Sequence, residues 1–400
     1  MELGSAGRTT IGDRIAFQRR RRGLSQAKLA GLLGHTEQWL SNIERGERPA
    51  DRYSTLVRIA EVLRVPVGAL TGNGEGEPAT EQASANELTD RIRMVLSGHQ
   101  YLAPGRDTLV DLDDVERRRW QAWKSAREGS CSALADILPG LLCDAEALRG
   151  SGPDGLRTVA EVYQLVTALL TVLGQTDVAW VAADRSADAA ERAGDTVLAA
   201  AASFRLGLAF LAGGQVAQSA HAAGMALAVL GGEARSGRPR ALAVWGALQL
   251  VLAVASARFG DARSAARALR RAAQAADAMG GEVDGRFQTE FGVANVSVHT
   301  VAVAVELGES GEALRQARAT DLERLSPERR SRLAMDVARA HLQQRQEAAA
   351  IEALLEAERL TPEMVHRHRQ PREVVHELLR WHRRPGAELR SLAERLRLES

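Results

Sequence analysis

The sequence predicts an all-α chain in two parts, a small basic module followed by a long helical array. Three observations carry this prediction. Apolar residues make up 45% of the 400 residues but aromatics only 4%, so the apolar content is mostly Ala, Leu and Val, which favours closely packed helices over sheets. Helical periodicity runs almost without interruption from residue 87 to 398, and no β-branched alternating run stands out. The net charge of +1 is unevenly spread, with 12 Lys/Arg against 7 Asp/Glu in residues 1–70 and 40 against 44 in the remainder. A basic module joined to a larger, mildly acidic one is expected where only the first part meets a polyanion.

Residues 1–10 lack periodicity and form a loose arm. The first helix is expected over about 11–22, with Ile15 and Ala16 inward and Gly23 ending it. Ser25 caps a second helix whose buried stripe is Leu29, Ala30 and Leu33, and Gly34 permits a tight turn. Thr36 caps a third helix that buries Leu40 and Ile43. A fourth carries Leu56, Ile59, Ala60 and Leu63, and Leu70 begins a last one after Pro66. With Leu40 and Ile43 in the core, the third helix turns Glu37, Gln38, Ser41 and Asn42 outward, with Trp39 beside them.

The run "IGDRIAFQRRRRGLSQAKLAGLLGHTEQWLSNIERGERP", continued by "STLVRIAEVLRVPVGAL", resembles the phage-repressor-type (Xre-type) helix-turn-helix family across residues 11–70. The resemblance implies a five-helix domain whose third helix lies in the major groove of double-stranded DNA. It places base contacts at Glu37, Gln38 and Asn42, within a DNA-facing set that includes Thr36 and Ser41. Side-chain amides suit adenine N6 and N7, and Glu37 can accept from cytosine N4 or favour the helix N-terminus. By family position Gln26 binds phosphate at the start of the second helix, Arg45 and Arg48 grip the backbone, and Arg19 pairs with Glu44 inside the domain. Two residues depart from the family pattern. His35 replaces a small aliphatic and reads as a tolerated substitution; Trp39 replaces a small polar residue. Three places are open to the Trp39 ring, against thymine methyls, over a sugar-phosphate edge, or folded back over the domain, and contact with DNA is the expected one, which adds Trp39 to the DNA-binding set.

Residues 71–86, "TGNGEGEPATEQASAN", are small, polar and acidic, which marks a linker. Their G-x-G-x-G follows no strand and precedes no Gly-Lys, so no nucleotide loop is expected. Residues 87–154 read as a helical connector, and 155–398 as hairpins of helices whose second members begin about 36–49 residues apart and carry small residues at helical spacing. This architecture resembles the tetratricopeptide-repeat (TPR) superfamily, an α-solenoid. The layout also resembles Gram-positive peptide-sensing regulators that join an Xre-type reader to TPR repeats, which implies a peptide, small-molecule or protein ligand on the concave face. On an expected helix over 285–308, Phe291, Asn295 and His299 share one face, with Gln288 and Glu306 near it. These residues suit either a ligand pocket or hydrogen bonds between helices. Tyr163, Arg205, Trp245 and Gln249 are weaker pocket candidates.

Cys131 and Cys143, twelve apart without a CxxC, read as buried thiols in a reducing cytoplasm. No apolar run approaches the ~20 residues of a membrane span. His366, His368, His376 and His382 lack the i, i+4 spacing of a chelating pair and read as solvated surface, so no metal is expected. No cofactor loop, catalytic triad or carboxylate pair emerges, so no enzyme is expected. The expected protein is a cytoplasmic, nucleoid-associated, homodimeric transcription regulator, since one helix reads only a few base pairs. The alternative is an interaction scaffold whose helix-turn-helix binds DNA weakly or not at all.

Overall fold

Every element in a computed structural model of the chain is helical among the residues it describes, which are 10–21, 24–47, 53–63, 80–97, 110–280, 288–381 and 385–398. The chain divides into two units, 1–84 and 85–400. In the first, α1 (Ile11–Arg21), α2 (Gln26–Leu33), α3 (Glu37–Glu44) and α4 (Tyr53–Leu63) surround a core of Ile15, Leu29, Ala30, Leu33, Leu40, Ile43, Ile59, Ala60 and Leu63. The spacing that predicted these inward positions is the helical period itself. The expected fifth helix at Leu70, the side chain of Leu56 and all of Arg48 lie outside the described residues.

The second unit opens with α5 (Thr80–Ser97), α6 (Leu112–Arg127) and α7 (Cys131–Ala147). Five hairpins follow: α8/α9 (Gly152–Val172, Thr176–Arg192), α10/α11 (Thr196–Ala212, Val216–Arg235), α12/α13 (Pro239–Arg258, Ala262–Met279), α14/α15 (Val293–Glu306, Ser310–Ala319) and α16/α17 (Pro327–Gln343, Glu347–Leu360). Short α18 (Pro362–Arg367) leads to α19 (Arg369–Trp381) and α20 (Ala387–Arg395). The second helices of the hairpins begin 37 to 48 residues apart, as the repeat pattern predicts. They pack through small residues: α13 buries Ala265, Ala268, Ala272, Ala275 and Ala276. Buried serines tie helix to helix, Ser186 Oγ donating to the Ala160 carbonyl (2.8 Å) and Ser219 Oγ to that of Gly207 (2.8 Å).

Several expectations are corrected. Residues 80–86, expected as linker, form the first two turns of α5. The connector is part of the array: Leu88, Ile92, Val115, Leu138 and Leu142 share one core with Val159, Leu165 and Leu248. α12 is 20 residues long with mean hydropathy 1.6, which meets the length and composition of a membrane span, and most of it is buried inside the array. Cys143 is exposed, and only Cys131 is buried.

The array's last helices return to α7, near its start. The N-cap of α7, Ser130, makes no side-chain capping bond. Glu363 of α18 takes its place, accepting from the Ser132 amide (2.7 Å) and from Ser132 Oγ (2.8 Å).

The expected helix over 285–308 starts only at Val293. Before it, Gln288 and Glu290 both adopt left-handed φ of 49°. Arg205 Nη2 holds the Gln288 carbonyl at 2.5 Å, and Ser326 Oγ donates to Glu290 at 2.7 Å. Phe291 then drops its ring onto α12 where Gly246 stands; a Cβ there would meet the ring at 2.0 Å. Gly246→Ala is therefore expected to destabilise the array by about 1–3 kcal/mol through overpacking. A urea midpoint equal to that of the unsubstituted chain would show that the ring is not held against this position.

Candidate functional site

The first unit presents α3 on a rigid frame. Ser25 Oγ accepts from the Lys28 amide (3.1 Å) and Thr36 Oγ1 from the Trp39 amide (3.3 Å), so both expected caps form. Between them Gly34 turns the chain at φ 73°. At the far end of α3 the Glu44 carboxylate is clamped by Arg19, Nε to Oε1 at 2.6 Å and Nη2 to Oε2 at 2.8 Å, with side chains only 11% and 5% exposed. Arg19 also donates to the Leu24 carbonyl (2.8 Å). The hydrogen bond to Glu44 raises the Arg19 pKa and outweighs the effect of burial.

Gln26 joins this clamp, its Nε2 donating to Glu44 Oε2 at 2.7 Å. The residue expected to meet phosphate therefore also fastens the start of α2 to the end of α3, a role that only the folded chain reveals.

Glu37 and Gln38 are exposed on the outward face, with Ser41 and Asn42 partly exposed beside them. Gln38 Nε2 donates to Asn42 Oδ1 (2.9 Å), and Arg45 Nη2 donates to the same oxygen (3.0 Å) while pairing with Glu47 (3.1 Å). The two departures from the family pattern meet each other. The His35 and Trp39 rings stack with centroids 3.9 Å apart and planes 14° apart, and Trp39 rests half-buried on the core.

In the second unit the first helices of the hairpins, with α6, α18 and α19, line a cavity of about 710 Å³. Of the sequence-predicted residues, Gln288, His299, Arg205 and Glu306 line it. Phe291 is seated on Gly246, and Asn295 is buried in the first turn of α14. Tyr163 is buried between Glu146 and Arg185, while Trp245 and Gln249 are not among the lining residues. His299 Nδ1 lies 2.9 Å from the Asn295 carbonyl, so that nitrogen carries the proton and Nε2 the lone pair.

A charged belt on α16 was not legible as a site. Glu328, Arg332 and Asp336 recur every fourth residue, the spacing of an ordinary solvated face, yet they line the cavity with Arg329 and Arg339. Arg332 Nε reaches Glu328 at 2.5 Å; Arg258 and Arg339 share Glu306 Oε1 at 3.2 and 3.1 Å; Gln370 donates to Asp336 at 2.7 Å. Burial raises the Glu306 carboxyl, but Arg339 and Arg258 outweigh it and hold the pKa below the usual value.

Two of the late histidines, His366 and His368, are not solvated surface. His366 donates Nε2–H to Glu358 at 2.7 Å, and His368 lines the cavity; His376 is exposed, and His382 lies outside the described residues. Among the described residues no group of three His, Cys, Asp or Glu is placed to hold a metal.

Comparison with known proteins assigns residues 10–71 to a helix-turn-helix domain. Over 143 residues the chain is 29% identical to an uncharacterized HTH-type transcriptional regulator of Sinorhizobium medicae (strain WSM419), covering 34% of this chain and 89% of that protein. A namesake in Rhizobium meliloti (strain 1021) matches to the same extent. Among solved structures, aspartyl phosphate phosphatase F from Bacillus subtilis aligns over 92% of this chain and 97% of its own, at 13% identity and a TM-score of 0.46. Bacillus thuringiensis PlcR, in complex with the peptide PapR7 and DNA, aligns over 68% and 95% at 13% identity and a TM-score of 0.31.

The cavity histidines generate a pH prediction. Burial pushes His299 down to about 4, helped by Arg329, and His368 down to about 3, helped by Arg332. Glu328, close to both, opposes the shift, and Arg258 adds to it at His368. Both folded values lie below that of a free imidazole, so between about pH 6.5 and pH 4 the unfolded chain binds protons that the folded chain does not. Stability is therefore expected to fall as pH drops through that window. The double variant His299→Gln, His368→Gln is expected to lose less of its melting temperature between pH 7 and pH 5 than the unsubstituted chain; an equal loss would contradict the assignment.

Proposed function

We propose that this chain, whose residues 10–71 form a helix-turn-helix domain, is a sequence-specific DNA-binding transcription regulator whose helical array senses a ligand. The observation that carries the proposal is the polar outward face of α3, capped by Thr36 at one end and clamped through Glu44 at the other. A helix so held can enter the major groove without being remade by the encounter.

Gln38 and Asn42 read adenine edges and Glu37 accepts from cytosine N4, while Ser41 fills the remaining outward position. The Gln38–Asn42 hydrogen bond is exchanged for bonds to bases when DNA binds. The N–H groups at the start of α2, the Gln26 amide, Arg45 and Arg48 engage phosphate. Trp39, stacked on His35, buttresses the turn between α2 and α3. The protein acts in the cytoplasm at the nucleoid, as a homodimer on a two-fold operator, since one α3 spans too few base pairs for useful specificity. The array senses a peptide, a small molecule or a protein partner on the side of its first helices.

One observation favours a scaffold instead: the amides of the reading face already bond to one another, beside an exposed Glu37. A salt titration separates the two readings, because affinity for DNA falls steeply with salt in proportion to the phosphates neutralised. No retention on DNA at low salt would favour the scaffold.

With an operator obtained by selection from random DNA, Gln38→Ala and Asn42→Ala are each expected to weaken specific binding by about 1–3 kcal/mol, with little change in non-specific binding. Fluorescence anisotropy on the selected and a scrambled duplex checks this. Unchanged affinity and unchanged preference would remove the assigned base contacts.

A further inference from the structure

We infer that the cavity of the helical array is a binding site for an amphipathic anion, a carboxylate or phosphate carried on an apolar body, seated with its charge toward Arg205, Arg329 and Arg332. The inference rests on the sensing function proposed above and names the chemistry of its ligand.

The cavity is lined by two kinds of side chain. Leu169, Val172, Leu208, Leu211, Val254 and Val298 are apolar. Among the described residues that line the cavity eight are arginines and five are carboxylates. The carboxylates are committed. Glu306 is shared by Arg258 and Arg339, Glu328 is bound to Arg332, Asp336 accepts from Gln370, Glu373 pairs with Arg369 at 2.5 Å, and Glu290 accepts from Ser326 at 2.7 Å. Arg329 stands at 3.4 Å from Glu328 and 3.9 Å from Glu290, so it holds neither in a close bidentate pair. Its side chain is only 11% exposed.

Arg205 is deeper. Its guanidinium lies 4.7 Å from the Trp123 ring and 5.1 Å from the Phe204 ring, and donates to a backbone carbonyl. Burial lowers its pKa to about 9, with Arg329 adding to the effect, so it is still protonated at neutral pH. Arg205 and Arg329 are buried, and holding cations out of water is electrostatically costly, so an anion that joins them there is favoured. Arginine presents donors in the fork that matches carboxylate and phosphate oxygens. A volume of about 710 Å³ suits a ligand of drug-like size and is far too small for a folded partner.

The same chemistry is found in a free organic acid or phosphate and in the C-terminus of a short apolar peptide, and the probes separate these. Thermal shift and calorimetry on the full chain would compare decanoate, decyl phosphate, decanol, and an apolar tetrapeptide with a free or an amidated C-terminus. At least one anion is expected to raise the melting temperature and bind tenfold or more tightly than its neutral counterpart. Preference for decanoate or decyl phosphate points to a small organic anion, and preference for the free-acid tetrapeptide to a peptide terminus. Arg329→Gln and Arg205→Met are each expected to weaken anion binding about tenfold or more. Decanol binding as well as decanoate, no binding by any of the anions, or equal affinity in a folded Arg329→Gln variant would overturn the inference. Because the charged-to-neutral comparison is made on the unsubstituted chain, it decides even if Arg205→Met fails to fold. DNA binding is measured in parallel. An anion that binds without altering operator affinity overturns only the sensing function; operator binding with no anion bound overturns only this inference.

Discussion

One long-range contact ties the two ends of the array together beside its cavity. Glu363 supplies the cap that Ser130 does not, so the N-terminus of α7 is satisfied by a carboxylate from 231 positions further along the chain. With the apolar cluster that buries Met364, Val365, Val374 and Val375, that pairing places α18 and α19, which bring His368 and Gln370 to the cavity wall. The contact unites two needs. The orphan amides at the start of a helix require acceptors, and a carboxylate at that position is favoured by the helix dipole. The hairpins pack chiefly on their neighbours, largely through alanines, and the Glu363 cap adds a tie between the array's two ends.

Glu44 plays the corresponding part in the helix-turn-helix domain. Its two oxygens take three donors from two other elements, which fixes α1, α2 and α3 together at the C-terminal end of α3. Removing the carboxylate would leave Arg19 buried without its counter-charge, a more costly state than either exposed pair on the surface could produce. Of the outward residues of α3, by contrast, Gln38 and Asn42 bond to each other and to the exposed Arg45, which leaves them exchangeable. Rigidity of the frame and exchangeability of the face are both needed for a helix that is to read bases.

Much of this was legible in the sequence because it is local. The caps at Ser25 and Thr36, the inward residues of α1 to α4 and the small-residue stripes of the array follow from helical period and cap chemistry. What was not legible depends on distant partners. "QTEFG" (288–292) has helical composition, but Arg205 grips the Gln288 carbonyl and Phe291 falls into the space that Gly246 leaves, so these residues stay out of the helix, which begins at Val293. The α16 belt and His368 have the spacing of a solvated face, and only the return of α18 and α19 makes them a cavity wall. His35 and Trp39 were seen as two separate oddities although they stand four apart; the intervening turn hid their contact.

The composition of the array bears on how such a cavity can respond to what enters it. Helices packed through alanine approach closely and have few side-chain rotamers to rearrange, so the shell yields little. The charged belt is different, because its members have alternative partners within reach: Arg329 stands between Glu290 and Glu328, and Arg339 between Glu306 and Asp336. An anion that takes one arginine changes the pairing of the next. The carboxylate it displaces must then find a new donor or take up a proton, since an unpaired buried charge is strongly unfavourable. Glu290 makes this consequential, because it lies in the left-handed segment that leads into α14 and is held by Ser326 at the start of α16. A shift in ion pairing there acts directly on a backbone segment already in a sparsely populated conformation, where a small free-energy difference decides between two arrangements.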